Sequence, residues 1–119
     1  MHKLIVFSCL LGSFLVYSAI VYTRGTENIM CHDKMASEGK LLFQKYNCIS
    51  CHQVYGLGGF LGADLTNVIS CDGKGEEYAR VFIEHGTDRM PDFHLTKNEV
   101  SCLIAYLKFV DQTAITYKN

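Results

Sequence analysis

The chain has 119 residues, enough for one small domain and too few for two. Its 11 lysines and arginines are balanced by 12 aspartates and glutamates, and this net charge of −1 argues against binding to nucleic acid or to a strongly anionic surface. A hydrolytic enzyme is also disfavoured, because the sequence has neither a Ser/His/Asp grouping nor paired carboxylates in a defined frame.

Residues 4–22 form a nearly unbroken apolar segment after a short basic start. Nineteen helical residues reach roughly 28 Å, close to the ~30 Å hydrocarbon thickness of a bilayer. A cleaved signal peptide is the alternative, but its apolar region is usually only about 7–15 residues long, and no Ala-x-Ala site ends this segment. We therefore predict a retained membrane anchor at residues 1–24 and a polar linker at residues 25–35.

A helix is predicted at residues 36–46, with Leu42, Phe43 and Tyr46 among its apolar positions. Gly39 leaves a flat spot on this helix, where a second helix can cross at close range. Tyr106, far along the chain, is the side chain that we expect to reach this spot.

Cys48, Cys51 and His52 form a Cys-x-x-Cys-His motif directly after this helix. The motif is the attachment signature of a c-type haem, in which each thiol adds to one vinyl group and the imidazole binds the iron. A redox dithiol would need a βαβ pattern around the two cysteines, and a zinc site would need a second Cys-x-x-Cys or a spaced His pair. Neither is present, so we predict one covalently attached haem c. A buried porphyrin would also add apolar mass to a soluble part of about 90 residues, which is marginal by itself.

Residues 53–72 are rich in glycine, with interleaved tyrosine, leucine and phenylalanine. They do not form a phosphate-binding loop, because no Lys-Ser/Thr follows and no strand precedes them. This composition suits a loop that wraps a flat apolar cofactor closely.

Two further helices are predicted. Residues 76–85 carry apolar side chains at helical spacing. The last helix begins at a capping box formed by Thr96 and Glu99. Its apolar stripe consists of Val100, Leu103, Ile104, Leu107 and Val110.

Met90, followed by the single proline Pro91, is the predicted second axial ligand of the iron. Thioether sulfur raises the reduction potential relative to a second imidazole, and a filled sixth position favours electron transfer over gas binding. His85 and His94 flank Met90 and are its rivals. His52 needs its other ring nitrogen tied to an acceptor, for which a backbone carbonyl near Gly62 and Ala63 is the natural candidate.

Six cysteines are present, and two of them are assigned to haem. Cys9 lies inside the apolar segment. Two of the remaining three, Cys31, Cys71 and Cys102, could pair in an oxidising compartment, or all three could be unpaired thiols packed as small apolar groups. The sequence does not choose between these alternatives.

The haem motif and Met90-Pro91 together resemble monohaem cytochromes c of the small helical type over residues 37–110. The resemblance implies an all-α protein in which a single transmembrane helix precedes a small class I cytochrome c-type domain at residues 36–119. It also implies that the first and last helices of this domain cross near Gly39, Phe43 and Tyr106, and that one haem edge stays exposed for electron exchange.

Residues 47–52, 56–68 and 103–109, behind one amino-terminal span, are similar to the small haem-carrying subunit of nitric oxide reductases, a cytochrome c. Membership would imply a large membrane-embedded, haem-containing catalytic subunit as partner and a soluble donor, either a small cytochrome c or a cupredoxin. It would place the anchor in the inner membrane and the haem domain on the periplasmic or outer side.

Two positions depart from that family. Ala63 stands where proline is usual, and it keeps the carbonyl but loses the rigidity. Phe60 stands near the family's tyrosine, in a loop that helps to hold a calcium ion at the subunit interface. The carbonyl of Gly58 or Phe60 could still serve such an ion.

The leading hypothesis is therefore an anchored, catalytically passive electron-transfer subunit of a nitric oxide reductase-type complex. The alternatives are the equivalent subunit of another haem–copper oxidase, a freestanding carrier, and a haem sensor with an open or displaceable sixth position. The absorption spectrum separates the sensor from the carriers, because iron ligated by methionine has a characteristic far-red band.

Overall fold

The computed structural model describes residues 2–29 and 33–114. These residues form helices α1 (His2–Ile29), α2 (Lys34–Lys45), α3 (Glu76–His85) and α4 (Lys97–Thr113) and an antiparallel ribbon of β1 (Gln53–Val54) and β2 (Leu57–Gly58). The chain divides into two compact units, Met1–Met30 and Cys31–Asn119. The predicted all-α class is confirmed, because the only strands in the described part of the chain are two residues long.

Helix α1 is long and apolar enough to cross a bilayer. Its span His2–Arg24 has a mean hydropathy of 2.4, and none of it is buried within the protein. At ~1.5 Å per residue, its 23 residues extend about 34 Å. The helix continues beyond Arg24 to Ile29, so residues 25–29, which we assigned to a linker, are helical. Loss of hydrophobicity marks a membrane boundary but does not oblige a helix to end there.

Helix α2 begins two residues earlier than predicted, because Asp33 caps it. The Asp33 carboxylate accepts a hydrogen bond from the Met35 N–H at 2.9 Å, which satisfies one of the free amides of the first turn. The buried face of α2 consists of Ala36, Gly39 and Phe43.

Helix α4 forms the centre of the second unit. Both halves of the predicted capping box are present, since the Glu99 N–H donates to the Thr96 hydroxyl at 3.3 Å and the Thr96 N–H donates to the Glu99 carboxylate at 2.9 Å. The hydrogen bonds that the Glu99 carboxylate accepts, first from the Thr96 N–H and second from the Thr96 hydroxyl, lower the pKa of Glu99. All five residues of the predicted apolar stripe are buried, together with Cys102.

The crossing of α2 and α4 occurs at Gly39, as predicted. A methyl group at Gly39 would overlap the Cys102 carbonyl and lie 2.8 Å from the Cβ of Tyr106. The Tyr106 ring packs against Phe43 with 5.4 Å between centroids. Absence of a side chain at Gly39 therefore sets the separation of the two helices.

Helix α3 matches the predicted residues 76–85 and packs against α4 through buried Ala79. An ion-pair network at its start joins the two helices. Glu76 contacts Arg80 at 3.1 Å and Lys108 of α4 at close range. The hydrogen bonds from Lys108 and Arg80 lower the pKa of Glu76.

Candidate functional site

The cysteines and histidine of the predicted haem motif lie in one tight turn. Asn47 has a φ of +52°, a left-handed conformation that asparagine tolerates better than most residues. The chain therefore changes direction at Asn47, after the end of α2. The carbonyl of Cys48 then accepts the N–H of Cys51 at 3.2 Å and the N–H of His52 at 3.0 Å. The turn therefore brings two thiols and an imidazole together within five residues.

The imidazole of His52 is held by the backbone of the glycine-rich segment. Its Nδ1 lies 2.7 Å from the carbonyl oxygen of Ala63. A carbonyl only accepts hydrogen bonds, so Nδ1 carries the proton and Nε2 keeps the free lone pair that a metal ligand needs. The predicted partner near Gly62 and Ala63 is confirmed.

Gly62 lies against the face of the same imidazole. A methyl group there would come within 2.5 Å of Nδ1 and 2.9 Å of Nε2. The N–H of Gly62 donates to the Cys51 carbonyl at 2.8 Å, which fixes this close approach. Only glycine leaves the His52 ring in its observed position.

The β-ribbon is held against the motif by two further close approaches. Methyl groups at Gly58 and Gly59 would overlap the carbonyls of His52 and Ser50, and the Gly59 N–H donates to the Ile49 carbonyl at 2.9 Å. The predicted loop is thus an ordered ribbon and turn. It holds three large apolar side chains in exposed positions: Leu57, Phe60 and Leu61.

Tyr55 fastens the tip of this ribbon to the end of α4. Its hydroxyl bonds the Thr113 hydroxyl, and its N–H donates to the Thr66 hydroxyl at 2.8 Å. These contacts offset the cost of a φ of +55° at a tyrosine. Asp111 adds a second connection by accepting the Ser70 N–H at 2.7 Å.

Met90, the predicted second ligand, lies in a separate loop between α3 and α4. Its side chain is half-buried. The Met90 carbonyl accepts the Thr87 N–H at 2.7 Å, and its own N–H donates to the Thr87 hydroxyl at 3.0 Å. Gly86, with a φ of +64°, passes so close to this loop that a methyl group would come within 2.5 Å of the Met90 carbonyl.

The rival histidines are both exposed. His85 ends α3. His94 is 87% exposed and lies 3.1 Å from the Asp92 carboxylate.

Sequence reasoning missed one contact that joins the methionine loop to the haem motif. The ring of Phe93, three residues after Met90, packs on Tyr46, two residues before Cys48, with 5.1 Å between centroids. Both residues are aromatic and adjacent to predicted ligands, which is the signal in the sequence that could have suggested the pair.

The remaining cysteines are unpaired where the structure describes them. Cys71 is exposed and Cys102 is buried, and both are free. Burial and the nearby Glu38 carboxylate, 3.6 Å from the sulfur, raise the pKa of the Cys102 thiol. Cys31 lies outside the described residues, so its pairing stays open.

The donor set fits a covalently held haem. The two motif thiols are half-buried, and burial raises the pKa of the Cys48 thiol, with a smaller contribution from Cys51. The turn offers one imidazole nitrogen, and a thioether is available from another loop. Within residues 2–29 and 33–114, no group of three or more His, Cys, Asp or Glu side chains is arranged to hold a metal ion.

Comparison with known proteins relates the chain to one family and to two relatives with a shared name. The sequence profile of the family described as cytochrome c oxidase, cbb3-type, subunit III matches residues 34–107. A nitric oxide reductase subunit of Stutzerimonas stutzeri is 28% identical over 114 residues, covering 83% of this chain and 77% of the relative. The nitric oxide reductase subunit of the same name in Halomonas halodenitrificans is 26% identical over 117 residues, covering 82% of this chain and 77% of the relative.

Proposed function

Because the chain belongs to the cytochrome c family described as cbb3-type cytochrome c oxidase subunit III, we propose that it is a membrane-anchored monohaem cytochrome that passes electrons to the catalytic subunit of a nitric oxide reductase-type complex. The observation that carries the proposal is the hydrogen bond between His52 Nδ1 and the Ala63 carbonyl, in a turn with two thiols. It leaves one imidazole nitrogen, in a fixed direction, for iron.

Four residues hold the cofactor in this proposal. Cys48 and Cys51 would form the thioether bonds, and His52 and Met90 would supply an imidazole nitrogen and a thioether sulfur to the iron. When bound, the haem supplies a one-electron Fe(III)/Fe(II) couple. The protein's part would be to hold the His52 imidazole in one tautomer and to supply both iron ligands, so that little would have to move when an electron arrives. The chain needs no proton donor or acceptor for this task.

The location of the site follows from its chemistry and from α1. Residues 1–24 anchor the chain in the inner membrane, residues 25–35 connect the two parts, and residues 36–119 form the cytochrome domain. Haem c is joined to proteins outside the cytoplasm, so we place this domain on the periplasmic or outer side.

The proposed partners are supported by the two relatives, both of which are named as subunits of a nitric oxide reductase. We propose a large membrane-embedded, haem-containing subunit as electron acceptor and a soluble small cytochrome c or cupredoxin as donor. The acceptor would use two electrons and two protons to reduce two NO to N2O and water. A calcium ion held at the interface by the carbonyl of Gly58 or Phe60 is a secondary part of this proposal.

A second candidate is the electron-transfer subunit of an oxygen-reducing haem–copper oxidase. It is favoured by the description of the matching family, which names a cbb3-type oxidase. The two candidates share the site and the direction of electron flow and differ in the terminal acceptor.

Purification in a gentle detergent tests both. We expect an intact mass equal to the polypeptide plus one porphyrin, and a co-purifying membrane protein that consumes NO with reduced donor. Consumption of O2 without NO would select the second candidate. A colourless polypeptide with no added mass would overturn both.

A further inference from the structure

The contact between Tyr46 and Phe93 connects the two ends of the proposed ligand set. Tyr46 ends α2, where its N–H donates to the Leu42 carbonyl at 2.9 Å, and it stands two residues before Cys48. Phe93 stands three residues after Met90. Their rings meet at 5.1 Å and 51°, a tilted arrangement that aromatic pairs favour.

The two partners are fixed to different degrees. The Lys45 ammonium lies 5.0 Å from the centre of the Tyr46 ring, so that ring is held by its own helix end and by a cation. Phe93 belongs to a loop whose hydrogen bonds near Met90 are internal. The Met90 N–H donates to the Thr87 hydroxyl, and the His94 N–H donates to the Asp92 carboxylate. Those bonds keep the shape of the loop without attaching it to the motif.

We propose that Tyr46 is a positioning residue for the distal ligand: its ring holds Phe93, and thereby keeps the Met90 sulfur on the iron against competing ligands. This inference rests on the proposed function, since it requires Met90 to be the ligand. Leu95 packs against two clusters of buried apolar side chains, one that includes Ile104 and one that includes Leu103. It fixes the loop where the loop approaches α4, and Tyr46 fixes it nearer the methionine.

The test is the affinity of the oxidised, full-length holoprotein for imidazole, which binds when the methionine leaves. Tyr46→Leu removes the ring and keeps an apolar side chain. We expect the half-saturating imidazole concentration to fall about two- to tenfold, the size expected for loss of one aromatic pair. The far-red band of methionine-ligated iron should disappear over the same, lower range of imidazole.

Two control variants distinguish a positioning role of Tyr46 from a general loosening of the cytochrome domain. Tyr46→Phe keeps the ring and should restore the original affinity. Tyr78→Leu removes the ring of a comparable tilted pair, Tyr78 and Phe82 at 4.6 Å within α3, and should leave imidazole affinity unchanged.

The outcomes are distinct. Absence of the far-red band in the unaltered protein refutes Met90 as ligand and therefore the proposed site. The positioning role is wrong if the band is present but Tyr46→Leu binds imidazole with the affinity of the unaltered protein. It is also wrong if Tyr78→Leu lowers the half-saturating imidazole concentration as much as Tyr46→Leu does. Phe93→Leu removes the partner ring and should give the same shift. If neither Tyr46→Leu nor Phe93→Leu retains haem, the pair serves the fold instead, and the inference also fails.

Discussion

His52 Nδ1 and the Ala63 carbonyl oxygen lie 2.7 Å apart, across eleven residues of glycine-rich chain. The contact exists because Gly62 lets that chain pass directly over the imidazole. The segment that follows the ribbon is thus part of the site, since its backbone sets the tautomer and direction of His52, the proposed iron ligand.

Gly62→Ala should displace the His52 ring, because the new methyl group would overlap it. We expect haem content and midpoint potential to fall, as measured by the haem-to-protein ratio and by redox titration. Gly56→Ala is the control, because Gly56 has a φ of +74° but no atom within 4 Å of the added methyl group. It should cost only ~1–2 kcal/mol of backbone strain. Equal losses in both variants would contradict a specific role for Gly62.

Met90→Ala should lower the midpoint potential by on the order of 0.1 V or more, within the ~0.8 V range that axial ligands span. It should also open the iron to CO, which difference spectra would detect. His85→Ala and His94→Ala should change neither property. If Met90→Ala leaves the midpoint potential unchanged, the ligand is instead the histidine, His85 or His94, whose alanine variant changes the potential.

Cys51→Ala should prevent stable maturation, because one thioether rarely holds the cofactor firmly. Covalent haem, measured by intact mass after denaturation, should fall to a small fraction of the normal level. Cys71→Ala removes an exposed, free thiol and should retain full haem content. Normal haem content in Cys51→Ala would count against the attachment site.

Gly39→Ala should destabilise the cytochrome domain by ~1–3 kcal/mol through overpacking. Helix propensity alone predicts the opposite sign, a gain of ~1 kcal/mol. The difference arises because the methyl group would overlap the Cys102 carbonyl of α4. Chemical denaturation of the purified holoprotein measures the change. Ser37→Ala, at an exposed position of the same helix, should have almost no effect.

Glu76→Gln should weaken the connection between α3 and α4 in a pH-dependent way. Lys108 and Arg80 lower the pKa of Glu76, so its contribution is complete above the ordinary glutamate value of 4.5 and is lost as pH falls through the lower folded value. The carboxylate is 36% exposed, so we expect at most ~1 kcal/mol at neutral pH. Unfolding titrations should show the variant and the unaltered protein converging in acid. Glu77→Gln, which makes the same charge change one residue away, should show no such convergence.

Features encoded in short stretches of sequence could be predicted well. The capping box of Thr96 and Glu99 and the stripe below it depend on neighbours within a few turns, so spacing alone located α4. The contact at Gly39 was also foreseeable, because a glycine on an amphipathic helix indicates close approach of a neighbour.

Features that depend on the path of a loop could not be predicted. Strands of two residues give no periodicity to detect, so the ribbon was expected only as a loop. The pairing of Tyr46 with Phe93 depends on where the chain returns after α3, which neither local sequence dictates. The continuation of α1 to Ile29 could not be predicted, because polarity marks the membrane edge, while backbone hydrogen bonding decides where a helix stops.

The crossing of α2 and α4 has a consequence for assembly. The whole haem-binding stretch lies between the two helices, so α2 has no partner until the ribosome has made nearly all of the chain. If the domain is exported from its amino-terminal end, as the proposed function requires, Cys48 and Cys51 would emerge before the helix pair can close. Under that proposal, thioether formation would precede final folding, and the two helices would close around a cofactor that is already in place.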